Sequence, residues 1–264
     1  MVVVSHNRME RLRACLQSLE KSQSRERLQI IVVDNGSRDG SAQLESEFPN
    51  TQFSKPPKNF GLTKAMNIGW RAAEAEYVFF LHEDTEVEPD AIERLAAVLD
   101  STTEAAGVCP LLVDEGGHPA PQLGNLPPDG QWRPAEPRDE PTTVAYPRGA
   151  ALMVRAFVIK STRQIDERYG QFGADADLAA QIRRGGRKIL LVPQARVRHL
   201  PEPDDSPMLH ADFLLGRAAY LSKHQGFVAG LQARLGSVLG ALGGFRLGEL
   251  RYLLAGQKID GRQQ

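Results

Sequence analysis

The hydrophobic pattern of the first hundred residues alternates between short apolar runs and longer segments with helical spacing. Strand-like runs occupy Val2–Ser5, residues 29–33, Thr51–Ser54, residues 77–81 and residues 106–113. Helical spacing is found in the segment that starts at Met9, in residues 62–75 and from Pro89 to Leu99. Runs of this kind form strands that are buried on both faces, and their alternation with helices predicts an α/β fold with a mostly parallel sheet flanked by helices.

The second half of the chain has a different pattern. Residues 114–142 are rich in proline, glycine and charge, so we expect a mobile loop there. Further strands are predicted at residues 149–154, 188–192 and 195–197, with a helix at 175–184. Beyond Pro207 the whole segment is predicted to be helical, because Leu214, Ala218 and Leu221, and later several leucines, have helical spacing. We therefore predict a domain of residues 1–203 and a helical C-terminal extension of residues 204–264.

Charge and cysteine content narrow the class of protein. The formal net charge is -1, so we expect no nucleic-acid partner. The two cysteines form no CxxC motif, which indicates a reducing compartment. The longest apolar run, residues 235–245, is broken by glycines, and the chain opens directly in a strand with no room for a targeting segment. We expect a cytoplasmic protein, with peripheral contact at the inner membrane face as an alternative.

Four polar loops follow predicted strands. They are Ser5-His6-Asn7-Arg8, the turn that begins at Asp34, Lys58-Asn59-Phe60-Gly61, and His82-Glu83-Asp84. In open α/β sheets ligands bind outside the carboxyl ends of the strands, so we expect these loops to meet at one cleft.

The acidic residues suggest two roles, that of a metal ligand and that of a general base. Asp84 and His199 are the candidate ligands of a hard divalent cation, Mg²⁺ or Mn²⁺, which would act as a Lewis acid. Asp175 lies where a turn enters a helix, which should keep it charged and available as a general base. Asp177 faces another direction and is assigned to support or capping.

Together these residues resemble the bacterial family 2 glycosyltransferases, in particular the rhamnosyltransferase-like branch. The resemblance runs from Val2 to about His199 and includes the string from Val33 to Ser41, the segment from Asn59 to Gly69, and Glu83-Asp84-Thr85. It implies a GT-A-like fold, with Asp175 as the base and Asp84 with His199 as metal ligands. The implied nucleotide-sugar-binding residues are Ser5, Asn7, Arg8, Asp34, Asn59, Gly61, Asn67, Glu83, Asp84, Gly149 and Ala150.

The resemblance also implies the reaction: inverting transfer of a sugar from a nucleotide-diphosphate sugar to a hydroxyl of a glycan or lipid-linked acceptor. The sequence departs from the family pattern where Ala174 replaces a glutamate and Gln181 an arginine, and His82 occupies a position where Asn or Asp is common. The loss of the glutamate leaves open a catalytically impaired sugar-nucleotide-binding module. A nucleotidyltransferase is a third reading, although such enzymes carry a glycine-rich phosphate loop after the first strand.

Each candidate residue also has a structural interpretation. Asp34 could close a turn, Asp84 could be a solvated acid, Asp175 could cap a helix, and His82 is read as structural. The leucine-rich C-terminal helices could form core, a homodimer surface or a membrane-surface helix.

Overall fold

A computed structural model describes residues 1–201 and 206–259 of the chain. Its strands are β1 Val2–Ser5, β2 Ile30–Asp34, β3 Thr51–Ser54, β4 Tyr77–His82, β5 Thr85–Val87, β6 Ala105–Val113, β7 Pro121–Leu123, β8 Arg133–Pro134, β9 Thr142–Val144, β10 Ala151–Arg155 and β11 Lys188–His199. Its α-helices are α1 Met9–Glu20, α2 Leu44–Glu47, α3 Leu62–Arg71, α4 Ala91–Ser101, α5 Ala156–Ser161, α6 Ala174–Arg184, α7 Pro207–Gln225, α8 Phe227–Gly243 and α9 Leu247–Ala255.

The main sheet has the order β3-β2-β1-β4-β10-β6-β11-β5, and β9 also pairs with β11. The first four strands in this order are parallel to one another, whereas β10 runs antiparallel to both β4 and β6. The predicted α/β fold, with its flanking helices and C-terminal helices, is confirmed. The sheet is mixed in detail, because an apolar run predicts a buried strand but not its direction.

Apolar side chains fill both faces of this sheet. Val3 and Val32 pack into the core layer under α1 and α4, while Val2 and Val33 pack into the opposite layer under α3 and α6. Burying each such side chain stabilises the fold by about 1.5–3 kcal/mol. Gly69 of α3 lies so close to β1 that an added Cβ would stand 2.3 Å from a methyl group of Val2. The alternating sequence pattern thus produces a sheet covered on both sides.

The third helix is shorter than its sequence pattern predicts. The pattern predicts residues 62–75, but α3 ends at Arg71. The side chain of Gln29 accepts a hydrogen bond from the Glu74 N–H at 2.9 Å and donates one to the Ala72 carbonyl at 3.0 Å. Gln29 therefore binds two backbone groups that a longer helix would pair within itself. Because Gln29 is far from α3 in sequence, the local apolar pattern does not reveal where the helix ends.

The proline-rich segment 114–142 contains short strands. β7 pairs with β8 in a two-stranded sheet, and β9 joins the edge of the main sheet beside β11. Leu123, Leu126 and Trp132 pack against the core. The mobility expected of this segment stays a prediction, as do the domain boundaries at residues 203 and 204.

The C-terminal helices pack on one another around Ala211, Ala241 and Leu253. On α8, Leu235 and Leu239 have exposed fractions of 54% and 66%, so this helix keeps an apolar face towards solvent. Within residues 1–201 and 206–259, none of the helices combines the length and the apolar character needed to cross a bilayer. A homodimer or a membrane contact through this face stays a prediction, and so does the cytoplasmic location.

Two buried acidic residues fix α7 to the sheet domain. Asp212, on α7, accepts hydrogen bonds from the N–H groups of Gln171, Phe172 and Ile259 at 2.8–3.1 Å. Asp177, on α6, contacts Lys223 at 2.8 Å and His224 at 2.7 Å. The supporting role predicted for Asp177 agrees with these contacts, and the end of α6 that carries Asp175 is held from the C-terminal side.

Candidate active site

The loops after β1, β2 and β3 are tied together by Asn35. Its side chain donates to Asn59 Oδ1 at 2.9 Å and to the Gly61 carbonyl at 3.3 Å, and it accepts the Phe60 N–H at 2.9 Å. Gly36 has φ +78°, and an added Cβ would lie 2.4 Å from the backbone of Lys58. The strand-end loops therefore form one rigid rim, as the sequence predicts, although sequence reasoning had not singled out Asn35.

A cavity of about 590 Å³ opens at this rim, and we call it the first cavity. Four of the predicted nucleotide-sugar residues line it: Ser5, Arg8, Asn59 and Glu83. The Ser5 hydroxyl is buried and has no hydrogen-bond partner among the described residues. Burial raises the pKa of Glu83 to about 7, with a smaller contribution from the charge of Asp84. The first cavity is thus lined by polar groups, and one of them, the Ser5 hydroxyl, lacks a partner among the described residues.

Other predicted binding residues are not brought into this cavity. Asp34 is 2% exposed, and its side chain accepts the Ser37 N–H at 3.3 Å. Asn67 is fully buried and uses both of its amide groups to hold Ile165. Both amide groups of Asn67 are thus occupied by Ile165, and its expected role in binding a nucleotide sugar stays a prediction.

Three further predicted loop residues lie outside the first cavity. Asn7 is exposed, and its side chain accepts the Arg38 N–H at 2.7 Å. Gly61, with φ +81°, is the N-cap residue of α3. Ala150 is buried, and its carbonyl accepts the His82 N–H at 3.0 Å, so its side chain does not reach a ligand. These positions shape the loops; none of the three lines the first cavity.

A second cavity, of about 890 Å³, adjoins the first and contains both principal acidic candidates. Asp84 and Asp175 line it together with His199 and Gly149, whereas Asp34 does not. Of these three acidic candidates, Asp84 and Asp175 therefore share one pocket and Asp34 does not. Ala174, in place of the family's glutamate, also lines this second cavity.

Three side chains at the edge of the second cavity could hold a metal ion. Ligand atoms of His82, Asp84 and His199 lie within 4.8 Å of one another. Asp84 Oδ1 is 3.6 Å from His199 Nε2, and it is buried without a hydrogen-bond partner in the described part of the chain. Burial lowers the pKa of His199 to about 4, so its imidazole is neutral at pH 7 and able to coordinate a cation. The donor set fits a divalent metal.

The position of His82 extends the predicted metal pair. Sequence reasoning assigned His82 to structure, but it lies beside Asp84 at the end of β4 and lines both cavities. Its pKa is lowered by burial, which favours a neutral ring. The available signal was its place directly after a buried strand, two residues before an aspartate.

Asp175 lies in the first turn of α6, beyond the N-cap residue Gly173. Its carboxylate accepts hydrogen bonds from the N–H groups of Ala176 at 2.8 Å and Gly149 at 3.2 Å, and from the Tyr146 hydroxyl. Burial nevertheless raises the pKa of Asp175. The helix start and these hydrogen bonds favour the charged carboxylate, whereas burial opposes it. A charged Asp175 at neutral pH stays a prediction, and a raised pKa suits a proton acceptor.

Arg148 is a cationic residue that sequence reasoning missed. It lines both cavities, and its guanidinium lies 5.5 Å from the ring centre of Trp132. Burial lowers its pKa, while the charges of Asp84 and Asp175 act in the opposite direction. A positive charge held between the two cavities can interact with an anion that spans them. Its position beside the motif residue Gly149 was the only local signal.

The fold defined by this sheet and site is that of the GT-A glycosyltransferases. GalNAc-T7, solved with UDP, GalNAc and Mn²⁺, superposes with a TM-score of 0.68 at 18% identity, over 84% of this chain and 47% of that one. Residues 1–349 of TarS from S. aureus superpose with a TM-score of 0.63 at 17% identity, over 88% of this chain and 68% of that one.

The sequence defines the family more closely. Residues 1–161 match the model of glycosyl transferase family 2, and the chain belongs to that family. EpsH of Bacillus subtilis is 30% identical over 107 residues, which cover 39% of this chain and 31% of EpsH. An N-acetylglucosaminyltransferase of Sinorhizobium fredii is 30% identical over 102 residues, or 37% of this chain and 25% of that protein. The similarity thus spans about a third or less of these relatives.

Proposed function

We propose that the protein is an inverting glycosyltransferase that transfers a sugar from a nucleotide-diphosphate sugar to a hydroxyl of a glycan or lipid-linked acceptor. The observation that carries this proposal is the presence of Asp84, Asp175, His199 and Arg148 around one cavity at the ends of the strands. Family membership supports the donor class, as do the relatives solved with UDP or with UDP-GlcNAc.

The first cavity is the proposed site of the nucleotide. Ser5 presents a hydroxyl without a hydrogen-bond partner among the described residues, and Glu83 offers carboxyl oxygens for the ribose or base. Asn59 lines the same cavity, but its Oδ1 already accepts from the Asn35 side chain and the Gly61 N–H. Arg148 lies where the diphosphate would pass into the second cavity. A guanidinium suits phosphate oxygens because its N–H groups match them in pairs.

His82, Asp84 and His199 would hold Mn²⁺ or Mg²⁺, and the cation would neutralise charge on the departing diphosphate. Two imidazole ligands favour Mn²⁺, since Mg²⁺ prefers sites made of oxygen atoms. The unpartnered Asp84 Oδ1 supports this assignment, because a buried carboxylate oxygen with no partner is costly unless something binds it.

Asp175 takes the proton of the acceptor hydroxyl in the proposed reaction. The acceptor oxygen forms a bond to the anomeric carbon while the bond from that carbon to the diphosphate oxygen breaks, and the electron pair leaves with the nucleoside diphosphate. A single displacement inverts the anomeric centre. Arg148 stabilises the charge that develops on the leaving phosphate.

The test begins with thermal-shift screening of UDP-, GDP- and dTDP-sugars in the presence of Mn²⁺; stabilisation by dTDP-rhamnose would support the rhamnosyltransferase-like branch. With the donor found, Asp84→Ala should lower the rate of nucleotide release by about 10²–10³-fold, because the charge on the leaving group is no longer neutralised. Glu88→Gln, on the exposed surface beyond β5, is the matched control and should keep the wild-type rate. A wild-type rate for Asp84→Ala would exclude the proposed site.

A further inference from the structure

The far wall of the second cavity is built by the C-terminal helices. Besides Asp84 and Asp175, the lining residues include His210, Phe213 and Arg217 from α7, Arg246 at the N-cap of α9, and Glu249 from α9. These helices lie outside residues 1–161, which match the family model. The wall is therefore a feature of this chain that the family match does not assign.

Glu249 is a buried carboxylate with one oxygen left over. It is only 3% exposed, and its Oε2 contacts Arg246 at 3.0 Å and His210 Nδ1 at 2.5 Å. Its Oε1 is buried and has no hydrogen-bond partner in the described ranges. A buried acceptor of this kind costs about 1–3 kcal/mol unless a donor reaches it, so a ligand that supplies a hydroxyl is the natural partner.

Arg217 contributes an unpartnered donor to the same wall. Its Nε is buried with no hydrogen-bond partner among residues 1–201 and 206–259. The nearby charge of Asp129 attracts it, but the Asp129 carboxylate oxygens accept hydrogen bonds from Asn125 and Gln131. The wall thus offers one unused acceptor and one unused donor.

Aromatic rings complete the surface. Phe172 and Phe213 meet edge to face with ring centres 6.0 Å apart, and Trp132 also lines the cavity. Apolar faces beside a few directed polar groups are typical of sites for small polyhydroxylated ligands, whose ring carbons pack on aromatic surfaces while their hydroxyls form hydrogen bonds.

The charges of this wall distinguish between acceptor classes. Arg217 and Arg246 are balanced by Asp129 and Glu249, so the wall carries no excess of positive charge. A phosphate group needs such an excess and would be repelled by the Glu249 carboxylate. A neutral sugar can donate a hydroxyl hydrogen to Glu249 Oε1 and accept one from Arg217 Nε.

We infer that the C-terminal helices form a subsite for an uncharged sugar residue of the acceptor, held by Glu249 and Arg217 against the aromatic rings. This inference rests on the proposed function, and it selects a glycan over a lipid phosphate as the group bound in the second cavity. It makes the helical extension the element that determines acceptor specificity.

The test is saturation-transfer NMR on the full chain with Mn²⁺ and the nucleotide found by thermal shift. The probes are methyl glycosides of glucose, galactose, mannose, rhamnose and N-acetylglucosamine, with farnesyl phosphate as the phosphate-bearing alternative. At least one glycoside should bind, and Glu249→Gln and Arg217→Met should each weaken it about tenfold, the effect of losing one hydrogen bond to a charged group. Arg251→Gln, exposed on the same helix as Glu249, should bind like the wild type.

Arg217→Lys separates the two ligand chemistries. It keeps the charge but loses the Nε donor, so it should fail to restore sugar binding, whereas it would largely restore binding to a phosphate. Farnesyl phosphate binding that depends on Arg217, or glycoside binding unchanged in the variants, would overturn the inference.

Nucleotide binding serves as the folding control for each variant and separates the two proposals. A wild-type protein that binds nucleotide but none of the glycosides overturns the sugar subsite alone. One that binds no nucleotide overturns the proposed function itself.

Discussion

The two sides of the second cavity differ in how the chain builds them. The strand-end side, with Asp84, is made by short loops that a few local motifs specify, and it lies in the part of the chain that matches the family model. The helix side, with Glu249, is made by side chains far apart in sequence, on helices outside that match. Under the proposed function, the sheet side would bind the donor, and the helices that pack against it would recognise the acceptor.

The largest expected effect comes from Asp175, the proposed base. Asp175→Asn removes the proton acceptor while keeping the shape of the side chain, so transfer should slow by about 10³-fold. Donor affinity should stay at the wild-type value, because the change leaves the first cavity intact. Single-turnover transfer rates and calorimetric donor titration measure the two quantities; loss of donor binding instead would place Asp175 on the donor side.

Breaking the junction between the two sides should have the next largest effect. Asp212→Ala leaves the N–H groups of Gln171, Phe172 and Ile259 without their acceptor, which should lower the free energy of unfolding by about 3 kcal/mol. Urea unfolding measures this change, and Asp139→Ala on the exposed surface is the control. A change below about 0.5 kcal/mol, the range of ordinary surface substitutions, would mean that α7 is held by other contacts.

The smallest expected effect concerns pH. Burial raises the pKa of Asp175, so transfer should decline as pH falls through a range above that of an ordinary aspartate, because the base becomes protonated. The Tyr146 hydroxyl lowers this pKa by donating to the carboxylate. Tyr146→Phe should therefore shift the acid limb of the kcat profile to higher pH, by up to about one unit.

Tyr77→Phe, which removes a hydroxyl bound to Asp100 on the exposed surface, is the matched control for the pH measurement. It should leave the acid limb unchanged. An unshifted limb in Tyr146→Phe would show that another group sets the pH dependence.

The strand-end side of the second cavity could be predicted from the sequence because the motifs that form it are local. Buried strands followed by short polar loops predicted where Ser5, Asn59 and Asp84 would lie, and the meeting of Asp84 with His199 at 3.6 Å agrees with the predicted pair. Asp34 and Asn67 were harder, since a polar side chain in a loop motif can equally satisfy backbone or packing, as both do here.

The contacts on the helix side could not be predicted from the sequence, for a physical reason. The spacing of apolar residues predicts that α7 and α9 are helices. It does not predict that His210 and Glu249, 39 positions apart, would be in contact. Such a contact depends on how three helices pack, which has no local signature. The antiparallel direction of β10 was hidden in the same way.

The position of Ile259 beside the first cavity has a practical consequence for recombinant expression of the protein. Ile259 borders the first cavity, and its N–H is held at 2.8 Å by Asp212, so the last described residues lie next to the rim where a nucleotide would sit. Shortening the polypeptide at Gly256, or joining a purification tag there, would remove that anchor. Recombinant versions should keep every residue through Ile259 if donor affinities are to be compared between laboratories.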